Sequence, residues 1–320
     1  MWSIECFPDP VTDGSQLPVR SAIVLGRVPI AALLPDASHR AAFQEGDREA
    51  RVALADFVAR KIAHSTCTVG FMYSQEGFQV TVEPLDRHVS SRTRQGKRKA
   101  RSASSLNNSY APYMLERSDV WCDNADLYVT VRVLANQRHG GDCMLDEKKS
   151  ETSGIEHVIG SATEEFLTNC FDPQLEDLPT QVLQHVACAV VQFRMRSHLA
   201  SIKAVAFVAD GSILPRKSGA SSLPMASPPA IPFEAPKGST TRQEIAVEMG
   251  LLRPFLPGSL TASTVGGSET TVSLTGLVIP AGITLIVGGG YHGKVSTNFT
   301  SVCSLPASSA FLTALHCCYL

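Results

Sequence analysis

The sequence predicts an α+β domain over residues 1–204, followed by the opening of an α/β lobe over residues 205–294. In the first part, stretches with apolar residues at helical spacing alternate with stretches in which every second residue is apolar, which indicates helices and strands. Beyond residue 204, short apolar segments alternate with Gly, Pro and Ser, a pattern typical of strands joined by turns. The expected elements are an edge strand or extended segment at 21–34, helices at 48–63 and 176–200, and strands at 77–82, 127–134 and 204–208.

The composition is that of a globular protein. The chain has 320 residues, enough for two domains, of which 44% are apolar and 18% charged. Its net charge of −2 excludes a protein that is basic throughout, so any contact with nucleic acid has to come from a local patch. The longest apolar stretch, around residues 186–191, is far shorter than the roughly 18–20 residues that cross a bilayer, so no membrane passage is expected.

Nine cysteines are scattered along the chain without a Cys-x-x-Cys pair, and the N-terminus lacks the charged-then-apolar pattern of a secretion signal. These features predict reduced thiols in a soluble, intracellular protein, with the cytoplasm favoured over the nucleus. Cys317 and Cys318, together with His316, are poor zinc ligands without a second pair, so no metal site is predicted.

A glycine-rich segment carries the clearest functional motif. Apolar residues 283–287 run into this segment, in which Gly288, Gly293 and Lys294 have the spacing of a phosphate-binding loop. Such a loop aims backbone N–H groups at a β-phosphate and places a lysine on the β and γ oxygens. The alternative is an ordinary turn with a surface lysine. The predicted phosphate-binding residues are Gly288, Gly289, Gly290, Tyr291, His292, Gly293 and Lys294.

The position after the loop lysine departs from the motif. A Ser or Thr hydroxyl normally ligates Mg²⁺ there, but this chain has Val295, and the hydroxyls of Ser296 and Thr297 are displaced by one and two positions. The loop is therefore expected to hold phosphate better than it holds metal.

The approach to the loop predicts a hairpin. Residues 271–282 have the pattern of a strand and a tight Pro/Gly turn, and they feed directly into the apolar run 283–287. We expect this hairpin to carry the central strands of a parallel-rich sheet, with the phosphate-binding loop at its end.

Three blocks of sequence resemble a known family. Residues 206–219 (AFVADGSILPRKSG), 232–236 (PFEAP) and 282–294 (GITLIVGGGYHGK) are similar to the stand-alone ATPases of the ABC class. The Tyr-His pair inside the loop is unusual among phosphate loops and makes this resemblance specific. The resemblance implies a soluble protein with its own N-terminal domain, ATP and Mg²⁺ as ligands, and a homodimer whose two lobes sandwich and hydrolyse the nucleotide.

Residues 295–320 do not resemble that family. Its members continue with Gly-Lys-Ser-Thr, a leucine-rich helix, a Walker B strand ending in Asp-Glu, and a signature loop. The resemblance therefore predicts a truncated or mis-spliced ATP-binding protein: an α+β N-terminal domain, the truncated opening of an α/β P-loop lobe of ABC type, and a non-family tail. Such a chain is expected to bind ATP weakly, to lack a hydroxyl ligand for Mg²⁺, and to offer no catalytic residue.

Arg216 belongs to the first of the three blocks. Its planar guanidinium suits a phosphate, and an interdomain contact to backbone carbonyls is the other interpretation. Asp210 is expected to serve the Asp-Gly turn rather than catalysis.

A basic run predicts a separate contact. Six Arg and Lys residues lie within residues 92–101. This run could attract the phosphate backbone of a nucleic acid, serve as a nuclear-import signal, or form a solvated loop without a function. No aromatic residue interleaves with these charges, so the run itself does not predict base stacking. An alternative function is therefore a non-catalytic RNA- or protein-binding module that uses the N-terminal domain and this run. The basic residues are Arg92, Arg94, Lys97, Arg98, Lys99 and Arg101.

Overall fold

The computed structural model describes residues 2–8, 19–44, 48–69, 72–75, 78–84, 116–137, 151–171, 177–218, 221–226, 228–256, 271–285 and 302–304. The chain divides into two compact units. The first comprises Met1–Pro35, Ala55–Tyr110 and Glu116–Leu178, and the second comprises Asp36–Leu54, Ala111–Leu115 and Pro179–Leu320. Helices and strands are mixed in both, as the sequence predicts.

The first unit is built on a six-stranded antiparallel sheet. Its strand order is β1-β2-β6-β4-β3, and β5 also pairs with β6. The strands are β1 (Ser3–Pro8), β2 (Val19–Pro29), β3 (Met72–Gln75), β4 (Phe78–Pro84), β5 (Val120–Cys122) and β6 (Asp126–Gln137). The helices are α1 (Ile30–Leu33), α4 (Glu151–Cys170) and the part of α3 (Arg48–Val69) that begins at Ala55.

The predicted edge strand at 21–34 is not an edge strand. Residues Val19–Pro29 form β2, which lies between β1 and β6, and the remaining residues turn into α1. Pro29 is tolerated because it is the last residue of the strand, where its missing N–H interrupts no interior ladder. The predicted strands at 77–82 and 127–134 are confirmed as β4 and β6.

Helix α4 covers one face of this sheet. A Cβ added at Gly26 of β2 would lie 2.7 Å from Leu167 of α4 and 3.2 Å from Trp2, so the helix approaches closely at the glycine. Trp2 in turn packs against Phe171, with ring centroids 5.8 Å apart. This face carries the buried alternate residues of β6, which are Leu127, Val129, Val131, Val133 and Ala135.

Strands β4 and β5 lie end to end along the same side of β6. Strand β2 pairs with β6 along its other side, β4 pairs with residues 131–137, and β5 pairs with residues 127–129. The chain therefore leaves the sheet after Pro84 and returns at Val120 at neighbouring points of the same line.

The second unit contains a four-stranded sheet of order β10-β11-β7-β12 and a separate hairpin of β8 and β9. Its strands are β7 (Ala204–Ala209), β8 (Arg216–Ser218), β9 (Ser221–Pro224), β10 (Arg242–Glu248), β11 (Thr271–Pro280) and β12 (Val302–Ser304). Its helical segments are α2 (Ala37–Gln44), the start of α3, α5 (Leu178–Leu199) and a 3₁₀ helix at Gly250–Phe255. Helix α5 confirms the helix predicted at 176–200, and α3 confirms the one predicted at 48–63.

The predicted hairpin of residues 271–287 is wrong over the residues that the structure describes. Its first strand forms as β11, but residues 283–285 have no regular structure, and both Ile283 and Leu285 are exposed. The reason is that β11 already pairs antiparallel with β10 on one side and with β7 on the other, so it has no free edge for a following strand. The expected parallel-rich sheet is also not observed among the described strands, because only β12 runs parallel to its neighbour.

Candidate functional site

Two of the three blocks that carry the family resemblance lie side by side in the second unit. Strand β7 ends at Ala209 and is followed by the turn Asp210-Gly211, where Gly211 has a φ of 86°. That conformation is easy for glycine and costly for other residues. The Asp-Gly turn that the sequence predicts is therefore confirmed.

Backbone hydrogen bonds join this turn to the second block. Gly211 donates its N–H to the carbonyl of Phe233 at 2.7 Å, and Phe233 donates its N–H to the carbonyl of Ser212 at 2.8 Å. The hydroxyl of Ser212 is fully buried and donates to the carbonyl of Ala209 at 2.7 Å. The proline-rich segment 232–236 is thus held against the end of β7 by the main chain itself.

The carboxylate of Asp210 closes the cluster. Its Oδ1 accepts the N–H of Ala235 at 2.6 Å, and its Oδ2 accepts from Nη2 of Arg242 at 2.7 Å. Nη1 of Arg242 donates to the carbonyl of Ala235 at 2.5 Å, so the three residues form a closed ring of hydrogen bonds. Bonds of this kind are strengthened by the charges on the carboxylate and the guanidinium. We call Asp210, Ala235 and Arg242 the Asp210 cluster.

The sequence did not single out Arg242. It begins β10, and nothing in its immediate neighbourhood distinguishes it from an ordinary strand arginine. For Asp210, the local turn pattern predicts the backbone role, whereas the ion pair depends on β10 reaching the same place in the fold.

Strand β11 connects this cluster to the chain that leads towards the glycine-rich segment. The N–H of Asp210 donates to the carbonyl of Thr275 at 2.9 Å. Because β11 is antiparallel to β7, Gly276 faces Ala209 while Pro280 faces Ala204. The end of β11 therefore lies beside the start of β7, whereas the Asp210 cluster lies beyond the end of β7. The five residue steps from Ala204 to Ala209 correspond to about 17 Å along the strand.

Gly276 allows β11 and β7 to pair closely at the cluster end. A Cβ at this position would lie 2.8 Å from Cα of Ala209 and 2.8 Å from the ring of Phe207, and still closer to the carbonyl oxygen of Val208. Contacts that short require the backbone to shift, so β11 depends on glycine there.

Most of the predicted site residues lie outside the residues that the structure describes. These are the phosphate-loop residues Gly288–Lys294, the basic run Arg92–Arg101, and His316, Cys317 and Cys318. The backbone of Arg216 begins β8 and pairs with Pro224, but its side chain lies outside the description, so its two interpretations stay predictions. Within the described ranges, no group of three or more His, Cys, Asp or Glu could hold a metal ion.

Four cysteines in the described part of the chain form no disulfide, namely Cys6, Cys122, Cys170 and Cys188. Burial raises the pKa of the Cys170 thiol to about 11, from its ordinary value of 9.0. Burial also raises the pKa of the Cys6 thiol, with a smaller contribution from the charge of Glu156. Both thiols are therefore protonated near neutral pH and are poor nucleophiles.

A comparison with protein families matches the part of the chain that contains the Asp210 cluster. Residues 179–251 match the P-loop domain of the ABC ATPase family, so this segment is similar to an ABC-class ATPase. The matched residues contain most of α5, the whole Asp210 cluster and β10. A P-loop domain of this class indicates nucleotide binding. No curated protein matches the chain.

The match ends before β11 and the glycine-rich segment, so it is independent of the motif at Gly288–Lys294. Among the described helices, none is both long and apolar enough to cross a membrane.

Proposed function

We propose that this chain binds ATP through the loop Gly288–Lys294, with Lys294 on the β and γ phosphates. The family match to residues 179–251 carries the proposal, because it identifies ABC-ATPase sequence without using the loop motif. The loop motif then lies beyond β11, the strand that accepts a hydrogen bond from the Asp210 cluster. Two independent features of one unit thus support the same ligand.

The proposed affinity is low, and its dependence on Mg²⁺ is weak. Val295 follows the loop lysine, and a valine side chain has no oxygen to offer a cation. Mg²⁺ would supply charge neutralisation of the phosphates in an intact site. In this chain that task falls to Lys294 and to the backbone N–H groups of the glycines. We expect a dissociation constant in the high-micromolar range, about −5 kcal/mol.

Titration calorimetry with ATP, with and without Mg²⁺, tests this function. Lys294→Ala should abolish the heat of binding, because it removes the fixed positive charge from the phosphates. Val295→Ser restores a hydroxyl beside Lys294, and it should make binding tighter in Mg²⁺ than in EDTA. Lys237→Ala is the matched control, since Lys237 is an exposed lysine of the same unit, paired with Glu234 at 3.1 Å. The control should bind ATP like the wild type.

Two results contradict the proposal. One is ATP binding that Lys294→Ala leaves unchanged, which would locate the site elsewhere. The other is an absence of ATP binding at millimolar nucleotide in a chain whose circular dichroism shows it to be folded.

A further inference from the structure

Residues 281–285 leave the sheet of the second unit at the end of β11. The N–H of Ala281 donates to the carbonyl of Lys203 at 2.8 Å, just before the start of β7. Gly282 has a φ of 139°, a conformation that is easy for glycine and costly for other residues, and the chain bends there. The three residues that follow belong to no helix or strand. We call residues 281–285 the exposed segment.

Both large side chains of the exposed segment are open to solvent. Ile283 is fully exposed, and Leu285 keeps 82% of its surface exposed. The backbone of residues 283–285 makes no hydrogen bond with another described residue. In a strand, residues two apart point to the same side, so Ile283 and Leu285 share one face when this segment pairs. The exposed segment therefore offers both backbone hydrogen-bonding groups and an apolar stripe.

Strand β10, at one edge of the same sheet, is built differently. It carries Arg242, Glu244 and Glu248, and charges on an edge strand oppose pairing with another chain. No Asp, Glu, Lys or Arg lies between Glu269 and Lys294. The exposed segment thus lacks the charges that would repel a second copy of itself.

We propose that the exposed segment pairs with the same segment of a second copy of this chain, as two antiparallel strands related by a two-fold axis. With the axis at Thr284, Ile283 of each copy lies opposite the partner's Leu285, so apolar side chains meet apolar side chains on both sides of the axis. Both copies use the same surface, which closes the assembly at a dimer. This inference goes beyond ATP binding, because it uses neither Lys294 nor the glycines before it.

The dimer is expected to be weak. Pairing of about five residues from each copy buries less than the roughly 1,200–2,000 Å² of a standard stable interface. We therefore expect a dissociation constant on the order of 10–100 μM.

Sedimentation equilibrium of the full chain, at concentrations that bracket this constant, tests the proposal. Ile283→Ser should weaken the dimer about hundredfold, because each buried large apolar side chain contributes about tenfold and the change occurs twice in a symmetric dimer. Ile231→Ser is the matched control, since Ile231 is an isoleucine of the same unit that is 85% exposed. The control should dimerise like the wild type, and circular dichroism should show both variants to be folded.

A cysteine variant tests the register. Thr284 lies opposite its own copy in the proposed pairing, with the two Cα atoms about 4.5–5.5 Å apart, a distance that a disulfide can span. Thr284→Cys should therefore give a disulfide-linked dimer under mild oxidation, seen on a non-reducing gel. Ile231→Cys should not, and the cysteines already present are common to both variants.

Four outcomes overturn the proposal. The first is a monomer at every concentration, and the second is equal weakening of the dimer by Ile283→Ser and Ile231→Ser. The third is growth beyond the dimer as concentration rises, which would mean that the contact does not close. The fourth is a dimer that Thr284→Cys fails to cross-link, which would place the contact elsewhere on the chain.

Discussion

Each unit of the molecule contains an arginine–aspartate pair that joins distant parts of its sequence, and the two pairs differ in what else they hold. In the second unit, Arg242 keeps 24% of its side chain exposed and bonds both Asp210 and the main chain of Ala235. In the first, Arg27 keeps 56% exposed and bonds Asp126 while lying over Tyr128. The same two residue types thus close an internal ring of hydrogen bonds in one unit and lie beside the stacked rings of Trp121 and Tyr128 in the other.

The stability lost when an arginine–aspartate pair is broken depends less on the geometry of the pair than on the groups that lose their partner. Removing Asp210 leaves the backbone N–H of Ala235 and the guanidinium of Arg242 without their acceptor. Both groups are largely shielded from water, so water does not fully replace the lost hydrogen bonds. Removing the guanidinium of Arg27 takes away a group that is 56% exposed, but it leaves Asp126, whose side chain is only 11% exposed, without that partner.

The largest effect is expected for Asp210→Ala. This change should lower the free energy of unfolding by about 2–4 kcal/mol, because the N–H of Ala235 and the guanidinium of Arg242 both lose their acceptor. Urea unfolding followed by circular dichroism measures it. Asp210→Asn keeps an oxygen for Ala235 and should lose about half as much.

Glu234→Ala is the matched control for that measurement. Glu234 carries the same charge in the same segment, but it is exposed and its ion pair with Lys237 is a surface pair. Its replacement should change stability by less than about 0.5 kcal/mol. Equal losses for Asp210→Ala and Glu234→Ala would show that the ring of hydrogen bonds contributes nothing of its own.

An intermediate effect tests burial rather than pairing. Burial is the main cause that raises the pKa of Cys170 to about 11, above its ordinary 9.0. Below pH 9 the thiol is protonated in both the folded and the unfolded chain, so it does not reduce the free energy of unfolding there. The free energy of unfolding falls between pH 9 and about 11, since only the unfolded chain releases the proton there. We expect a loss of about 1.4 kcal/mol per pH unit in that window from this group.

The measurement is the difference in alkaline unfolding between the wild type and Cys170→Ala. Other groups titrate in the same range, but they are common to both chains, so the difference isolates the thiol. The variant should show the shallower decline. Parallel curves for the two chains would mean that the thiol ionises as easily when folded as when unfolded.

The smallest effect is expected for Arg27→Gln. Its stability cost should be smaller than that of Asp210→Ala, because the glutamine amide keeps an N–H donor for Asp126 and the guanidinium that is lost is 56% exposed. A loss as large as that of Asp210→Ala would break the distinction between the two pairs. It would mean that the pair of Arg27 and Asp126 stabilises the first unit as much as the Asp210 cluster stabilises the second.

Local pattern predicted the elements whose stability comes from their own sequence. Helix α5 follows from its wide apolar stripe, and the Asp210-Gly211 turn follows from a glycine at a positive φ. Helix α4 was not predicted, because glycine, serine and threonine lower its intrinsic helix propensity. It packs against β1, where Gly160 lies beside Ile4 and Cys6, a contact that no short window of sequence contains.

The candidate sites divide in the same way. The glycine-rich loop and the basic run are recognisable from spacing and charge alone, since both motifs are contiguous in the chain. The Asp210 cluster and the stack of Trp121 on Tyr128 are not, because each depends on strands that come together only after folding. Trp121 looks like any surface tryptophan until β5 pairs it with Tyr128, and β2 pairs Tyr128 with Arg27.

The sequence by itself determined the periodicities of the confirmed helices and strands and the Asp210-Gly211 turn, because each of these depends on neighbouring residues. Only the tertiary structure decided which strands lie side by side. It placed β2 inside its sheet instead of at an edge, and it occupied both edges of β11, so that the described residues 283–285 add no strand to it. Strand pairing joins residues far apart in the chain, and the free energy of each pairing depends on all the alternatives that the same edges could accept.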